Sequence, residues 1–98
     1  MTIEQKAEGS KLTLKVSGRL DTMTAPELET TIKENLEGTT ALVLDFENLE
    51  YISSAGLRVV LRAHRSLPMG GKTKVTNCNS VIKEVFSVTG FDGILEIS

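Results

Sequence analysis

The sequence predicts an α/β domain built on one mixed β-sheet, with an opening hairpin and α-helices packed on the sheet. Three observations predict it. Near the start, apolar and polar residues alternate on either side of a turn, as in paired strands with one wet face. Further on, three segments carry apolar residues at helical spacing. Between and after them lie short apolar runs of strand length. The resulting order, β-β-α-β-α-β-α-β, sets a hairpin ahead of α/β alternation, and that order gives a single sheet with helices on it. The 98 residues fit one domain, 1–98,.

Ile3 to Ala7 has a weak pattern and is expected as an edge strand, with Glu8-Gly9-Ser10 as the turn. Leu12, Leu14 and Val16 then alternate with Lys11, Thr13, Lys15 and Ser17, giving the second strand of the hairpin,. Thr24-Ala25-Pro26-Glu27 opens a helix: Thr24 as cap, Glu27 reaching back, and Pro26 tolerated in the first turn,. Ala25, Leu28, Ile32 and Leu36 form its inner face, Glu29 and Lys33 lie one turn apart outside, and Gly38 ends it,. Ala41-Leu42-Val43-Leu44 is a continuous apolar run ending at Asp45. Such a run predicts a strand covered on both faces.

A loop is expected after Asp45, and Ser53-Ser54-Ala55-Gly56 opens the second helix. Leu57, Val60, Leu61 and His64 share one of its faces, while Arg58, Arg62 and Arg65 share another,. Leu67-Pro68 closes it and Gly70-Gly71 makes a turn into a strand over 73–76. Asn79 or Ser80 caps a third helix with Val81, Ile82, Val85 and Phe86 inside, and Gly90 stops it,. Ile94, Leu95 and Ile97 make the last strand.

Composition excludes several function classes. The net charge is −2, whereas a nucleic-acid partner calls for a basic footprint. Cys78 is the lone cysteine and His64 the lone histidine, so no internal disulfide forms and a metal site lacks ligands. The start shows no basic-then-apolar leader and no run reaches membrane-spanning length,. A reducing, cytoplasmic setting is the expectation. No cofactor motif is present, and nothing demands more than a monomer.

The informative stretch runs from Asp45 to Leu61, where two serines stand at a helix start. A helix N-terminus presents unpaired N–H groups and the positive end of the dipole, so a phosphate is stabilised there. A serine at that place is a physically sensible phosphorylation site, because the modified form keeps its helix. Serine is also a favoured N-cap, and Gly56 permits close packing,.

Ser54-Ala55-Gly56-Leu57 resembles the phosphoserine signature of STAS domains, specifically the bacterial anti-sigma factor antagonists. Gly18-Arg19-Leu20-Asp21 followed by Thr24-Ala25 resembles that family's segment before the first helix. Val81 to Phe86, with Thr89-Gly90-Phe91, resembles its C-terminal helix and turn. The resemblance runs in order through nearly the whole chain and implies a STAS-like fold. It implies a non-enzymatic partner switch: the protein binds an anti-sigma factor that is also a serine kinase, which frees a sigma factor. Phosphorylation expels the antagonist, and a serine phosphatase restores it. Ser54 matches the phosphoserine position. Ser53 stands where the family often has aspartate, and is the alternative acceptor. Asp21, Thr22, Met23 and Thr24, with Ser53, Ala55, Gly56 and Arg58, are the implied partner-binding residues.

Two other readings compete. One keeps the fold as a scaffold or accessory subunit of a transporter or sensory complex, with Ser54 merely at a cap. The other makes Ser54 a nucleophile. A nucleophilic serine needs a base, and His64 lies about three turns along the same straight helix, out of reach. Ile52 also occupies the first glycine position of the Gly-x-Ser-x-Gly elbow,. His64 is expected as a packed, hydrogen-bonded histidine, Cys78 as a buried small residue, and the arginine stripe as a solvated face.

Overall fold

The computed structural model describes residues 1–98. The chain forms β1 (Thr2–Glu8), β2 (Lys11–Leu20), α1 (Ala25–Asn35), β3 (Ala41–Asp45), β4 (Leu49–Ile52), α2 (Ser54–Ser66), β5 (Lys72–Thr76), α3 (Ser80–Val88), a 3-10 turn (Phe91–Gly93) and β6 (Glu96–Ile97). The sheet is mixed. β1 and β2 pair antiparallel, and β2, β3, β5 and β6 follow side by side in parallel. The hairpin turns at Gly9, whose φ of +61° suits a residue without Cβ,.

Register explains the core. Leu12 pairs Leu42 and Leu14 pairs Leu44, and these continue across to Thr73 and Val75. All six are buried. They share one face because side chains alternate along a strand. Against that face pack Leu28 and Ile32 of α1, Leu57 and Val60 of α2, and Ile82 and Phe86 of α3. The opposite face carries Lys11, Thr13, Lys15, Ala41, Val43, Lys72 and Lys74, and none of these is buried. The expected double covering of the 41–44 strand is therefore wrong: its burial alternates, with Leu42 and Leu44 inside and Ala41 and Val43 half-buried. Small Ala41 and Val43 sit among lysine stems on an open face, which makes the run look continuous.

Four other expectations need correction. The loop after Asp45 contains β4, which pairs with the upper end of β2 in parallel. A register shift at Gly18/Arg19 leaves β4 with burial at both ends and exposure between, rather than alternation. Val81 is 64% exposed, so the inner face of α3 is Ile82 and Phe86, with Val85 half-buried. In α2, Leu61 is only half-buried, and Val59 and Ala63 complete the buried arc. The last strand is just two residues; Ile94 follows the 3-10 turn and is exposed. Gly90 does terminate α3 in the left-handed region at φ +79°,.

Candidate functional site

Two segments meet at the C-terminal ends of β2 and β4. The Ser53 N–H donates to the Leu20 carbonyl at 2.9 Å, so the Asp21–Thr24 turn and the start of α2 leave the sheet side by side. Ser53 has extended backbone (φ −96°, ψ 175°) and is the N-cap of α2. Its hydroxyl accepts from the Gly56 N–H at 3.4 Å, and its carbonyl accepts from Leu57 at 3.0 Å. Ser54 is the first helical residue and is exposed, and Arg58, one turn further along the same helix face, is exposed as well. The Ser54 and Ala55 N–H groups have no acceptor within the protein. Those N–H groups, with the helix dipole, make the surroundings of Ser54 favourable to negative charge.

Gly56 is buried for a steric reason. A Cβ there would stand 2.7 Å from Leu20 Cγ and 2.9 Å from Ile52 Cγ1. The missing side chain lets the first turn of α2 press onto the ends of β2 and β4, which fixes where Ser54 emerges. Ala55 beside it is half-buried.

The Asp21–Thr24 turn is tied by a dense local network. Asp21 Oδ1 accepts from the Met23 N–H (3.0 Å) and the Thr24 N–H (3.1 Å). The Thr24 hydroxyl accepts from the Asp21 N–H (2.9 Å) and donates to the Arg19 carbonyl (2.8 Å), with Asp21 Oδ1 as a second acceptor at 3.2 Å. Thr24 stands at the N-cap of α1 and its carbonyl accepts from the Glu27 N–H at 3.0 Å, but the expected side-chain cap, with Glu27 reaching back, is not formed. The Thr24 N–H that Glu27 would have reached is already held by Asp21. The Thr24 N–H bond does most to hold the Asp21 carboxyl below the ordinary 3.8, and the Met23 N–H and Arg19 assist,. The turn's tip faces outward: Thr22 is exposed and Met23 is 87% exposed.

A feature not anticipated from the sequence adjoins this turn. Arg19 stacks over the Tyr51 ring at 4.3 Å from its centre and lies 3.9 Å from Asp21,. Tyr51 sits in the segment expected as loop, so no periodicity signalled the pair. Arg58, Arg62 and Arg65 are all exposed, the solvated face expected of the stripe, and Arg62 also bonds Glu29 of α1 at 2.7 Å. His64 Nδ1 lies 2.8 Å from the Thr73 hydroxyl, the hydrogen-bonded place expected of it. Cys78 is half-buried, and burial pushes its thiol up to about 11, so it is protonated at neutral pH. No group of three or more His, Cys, Asp or Glu side chains is placed to hold a metal ion. No helix is long and apolar enough to cross a membrane.

Comparison with known proteins agrees with this fold. The STAS domain family model matches residues 2–98. BtrV of Bordetella bronchiseptica is 33% identical over 85 residues, covering 85% of this chain and 73% of that protein. The anti-sigma-B factor antagonist of Staphylococcus aureus is 26% identical over 100 residues, covering 100% of this chain and 93% of its own. Among solved structures, an anti-sigma factor antagonist from Mycobacterium paratuberculosis superposes with a TM-score of 0.89 at 25% identity, over 98% of this chain and 83% of that one. Bacillus SpoIIAA in its phosphorylated form shares the fold, with a TM-score of 0.78 at 20% identity over 99% and 91% of the two chains. The chain belongs to the STAS domain family, and its homologues are anti-sigma factor antagonists, regulatory rather than catalytic proteins.

Proposed function

We propose that this protein is a phosphorylation-controlled anti-anti-sigma factor of the bacterial cytoplasm, with Ser54 as the phosphoacceptor. It binds an anti-sigma factor that is also a serine kinase and so releases a sigma factor. The single observation that carries the reading is the different use of adjacent serines: Ser53 spends its hydroxyl as the helix cap, while Ser54 is exposed on the first turn. The partner surface is the outward tip of the Asp21–Thr24 turn together with Ser53, Ser54, Ala55 and Arg58; Gly56, expected among these residues, is buried against Leu20 and Ile52 and only positions the helix start. SpoIIAA, which shares the fold, has a phosphorylated form, which supports phosphorylation as the control of this chain.

The chemistry follows from charge. Phosphoserine adds about −1.5 to −2 charges at neutral pH. One added charge about 5 Å from a like charge, at an effective dielectric near 20, costs about 3 kcal/mol. That weakens a complex on the order of a hundredfold. The antagonist's own fold is spared, because the phosphate meets the unpaired N–H groups at the start of α2 and Arg58 stands one turn away. ATP belongs to the kinase, this chain needs no cofactor, and a serine phosphatase resets the switch.

Incubation with the cognate kinase and ATP, followed by mass spectrometry, tests the assignment. Phosphate is expected on Ser54 and absent from Ser54→Ala. Modification of Ser53, or of neither serine, contradicts it.

A further inference from the structure

The exposed edge of the sheet carries a second, unrelated piece of information. β1 pairs only with β2, so one of its long edges is open. The hairpin register runs from Glu8↔Lys11 to Thr2↔Ser17 with no shift. The loop is two residues, so Glu8 and Lys11 form the hydrogen-bonded pair that flanks it, and Lys6, Glu4 and Thr2 take the same role at every second position. The backbone groups of Ile3, Gln5 and Ala7 consequently point outward along the free edge.

Native edges of this kind are usually blunted by proline, bulges or charged side chains. β1 has no proline and no register break, and its outer-face charges are Glu4, Lys6 and Glu8. This pattern is self-complementary. When two copies of β1 run antiparallel about Gln5, Ile3 meets Ala7, Gln5 meets Gln5, and Glu4 meets Lys6 on both sides of the axis. The outward residues 3, 5 and 7 then supply every hydrogen-bonded pair, and Glu4 and Lys6 fall in the closer, non-hydrogen-bonded pairs. Centring on Glu4 or on Lys6 would instead set like charges opposite each other.

We propose that β1 is a homodimerisation edge, at which a second copy of this chain extends the sheet through antiparallel pairing about Gln5. The only ion pair on this strand, Lys6 with Glu8 at 3.1 Å, is exposed on both sides; such a pair is weak and yields to a cross-strand partner. Ile3 is half-buried against the core margin and gains cover from Ala7 of the second copy. The dimer leaves the switch free, since β4, which leads to Ser54, lies on the other side of β2 from β1. The inference does not depend on the proposed phospho-switch.

Sedimentation equilibrium of the full chain over a wide concentration range tests it. The wild type is expected to show a reversible monomer–dimer equilibrium. Glu4→Lys and Lys6→Glu each reverse both charge contacts and are expected to raise the dissociation constant about tenfold. The double variant E4K/K6E restores complementarity and recovers the dimer. Gln5→Pro removes an outward N–H while leaving the β1–β2 ladder intact, and is expected to abolish pairing. Thermal melts confirm that each variant is folded. A wild type that stays monomeric at every concentration overturns the proposal. So does a dimer indifferent to the single swaps, or one that the double swap fails to restore.

Discussion

The two segments that leave the sheet side by side at the C-terminal ends of β2 and β4 are built in opposite ways. The Asp21–Thr24 turn is over-determined: one carboxylate oxygen and one hydroxyl close five short contacts within six residues. The start of α2 is under-satisfied: one long capping bond, two N–H groups without acceptors, and a free hydroxyl on Ser54. The first segment is thus fixed by its own bonds and presents a constant surface. The second is located by packing, through Gly56, and keeps its polar capacity unused. A phosphate arriving on Ser54 finds donors that the fold has not consumed.

Substitutions that blur this contrast should rank accordingly. Gly56→Ala is the most damaging, because a methyl group is forced to within 3.0 Å of two buried side chains. Overpacking outweighs the gain in helix propensity, and a loss of about 1–2 kcal/mol is expected in chemical denaturation. Asp21→Asn comes next and shows itself in the pH dependence. The Asp21 pKa is lower in the folded state than its ordinary 3.8. Its contribution is therefore full above that value and fades as pH falls through the depressed one. The wild type should lose stability in this acid window by a margin that the asparagine variant does not show. Ser53→Ala removes a 3.4 Å cap and should cost about 0.5–1 kcal/mol, the low end for caps. Ser54→Ala, at an exposed position, should stay within about 0.5 kcal/mol of wild type. If Ser54→Ala proves more damaging than Ser53→Ala, the roles assigned to the two serines are reversed.

Much of the fold was legible because most of its elements are strongly patterned. Leu12, Leu14 and Val16 alternate over a single buried face, and α1 begins and ends close to where its capping residues suggest. The missed β4 has four residues and takes its order from a register shift in β2, which no local pattern encodes. Val81 misled because apolar character alone does not say which side of a short helix is covered. Ala41 and Val43 misled because two small apolar residues on an open face complete what looks like a fully buried run. At the site, Ser53, Ser54 and Gly56 were legible from motif and spacing. The Asp21 network and the Arg19–Tyr51 stack were not, since both depend on which strands lie next to each other.

In the proposed switch, charge on Ser54, and not a change of fold, breaks the complex. Calorimetric titration of the anti-sigma factor with stoichiometrically Ser54-phosphorylated and unmodified protein tests it, with an amide NMR spectrum recorded on each form. Phosphorylation is expected to lower affinity on the order of a hundredfold and to confine spectral changes to the neighbourhood of Ser54 and the Asp21–Thr24 turn. Equal affinity for the two forms, or a spectrum altered throughout the sheet, would contradict it.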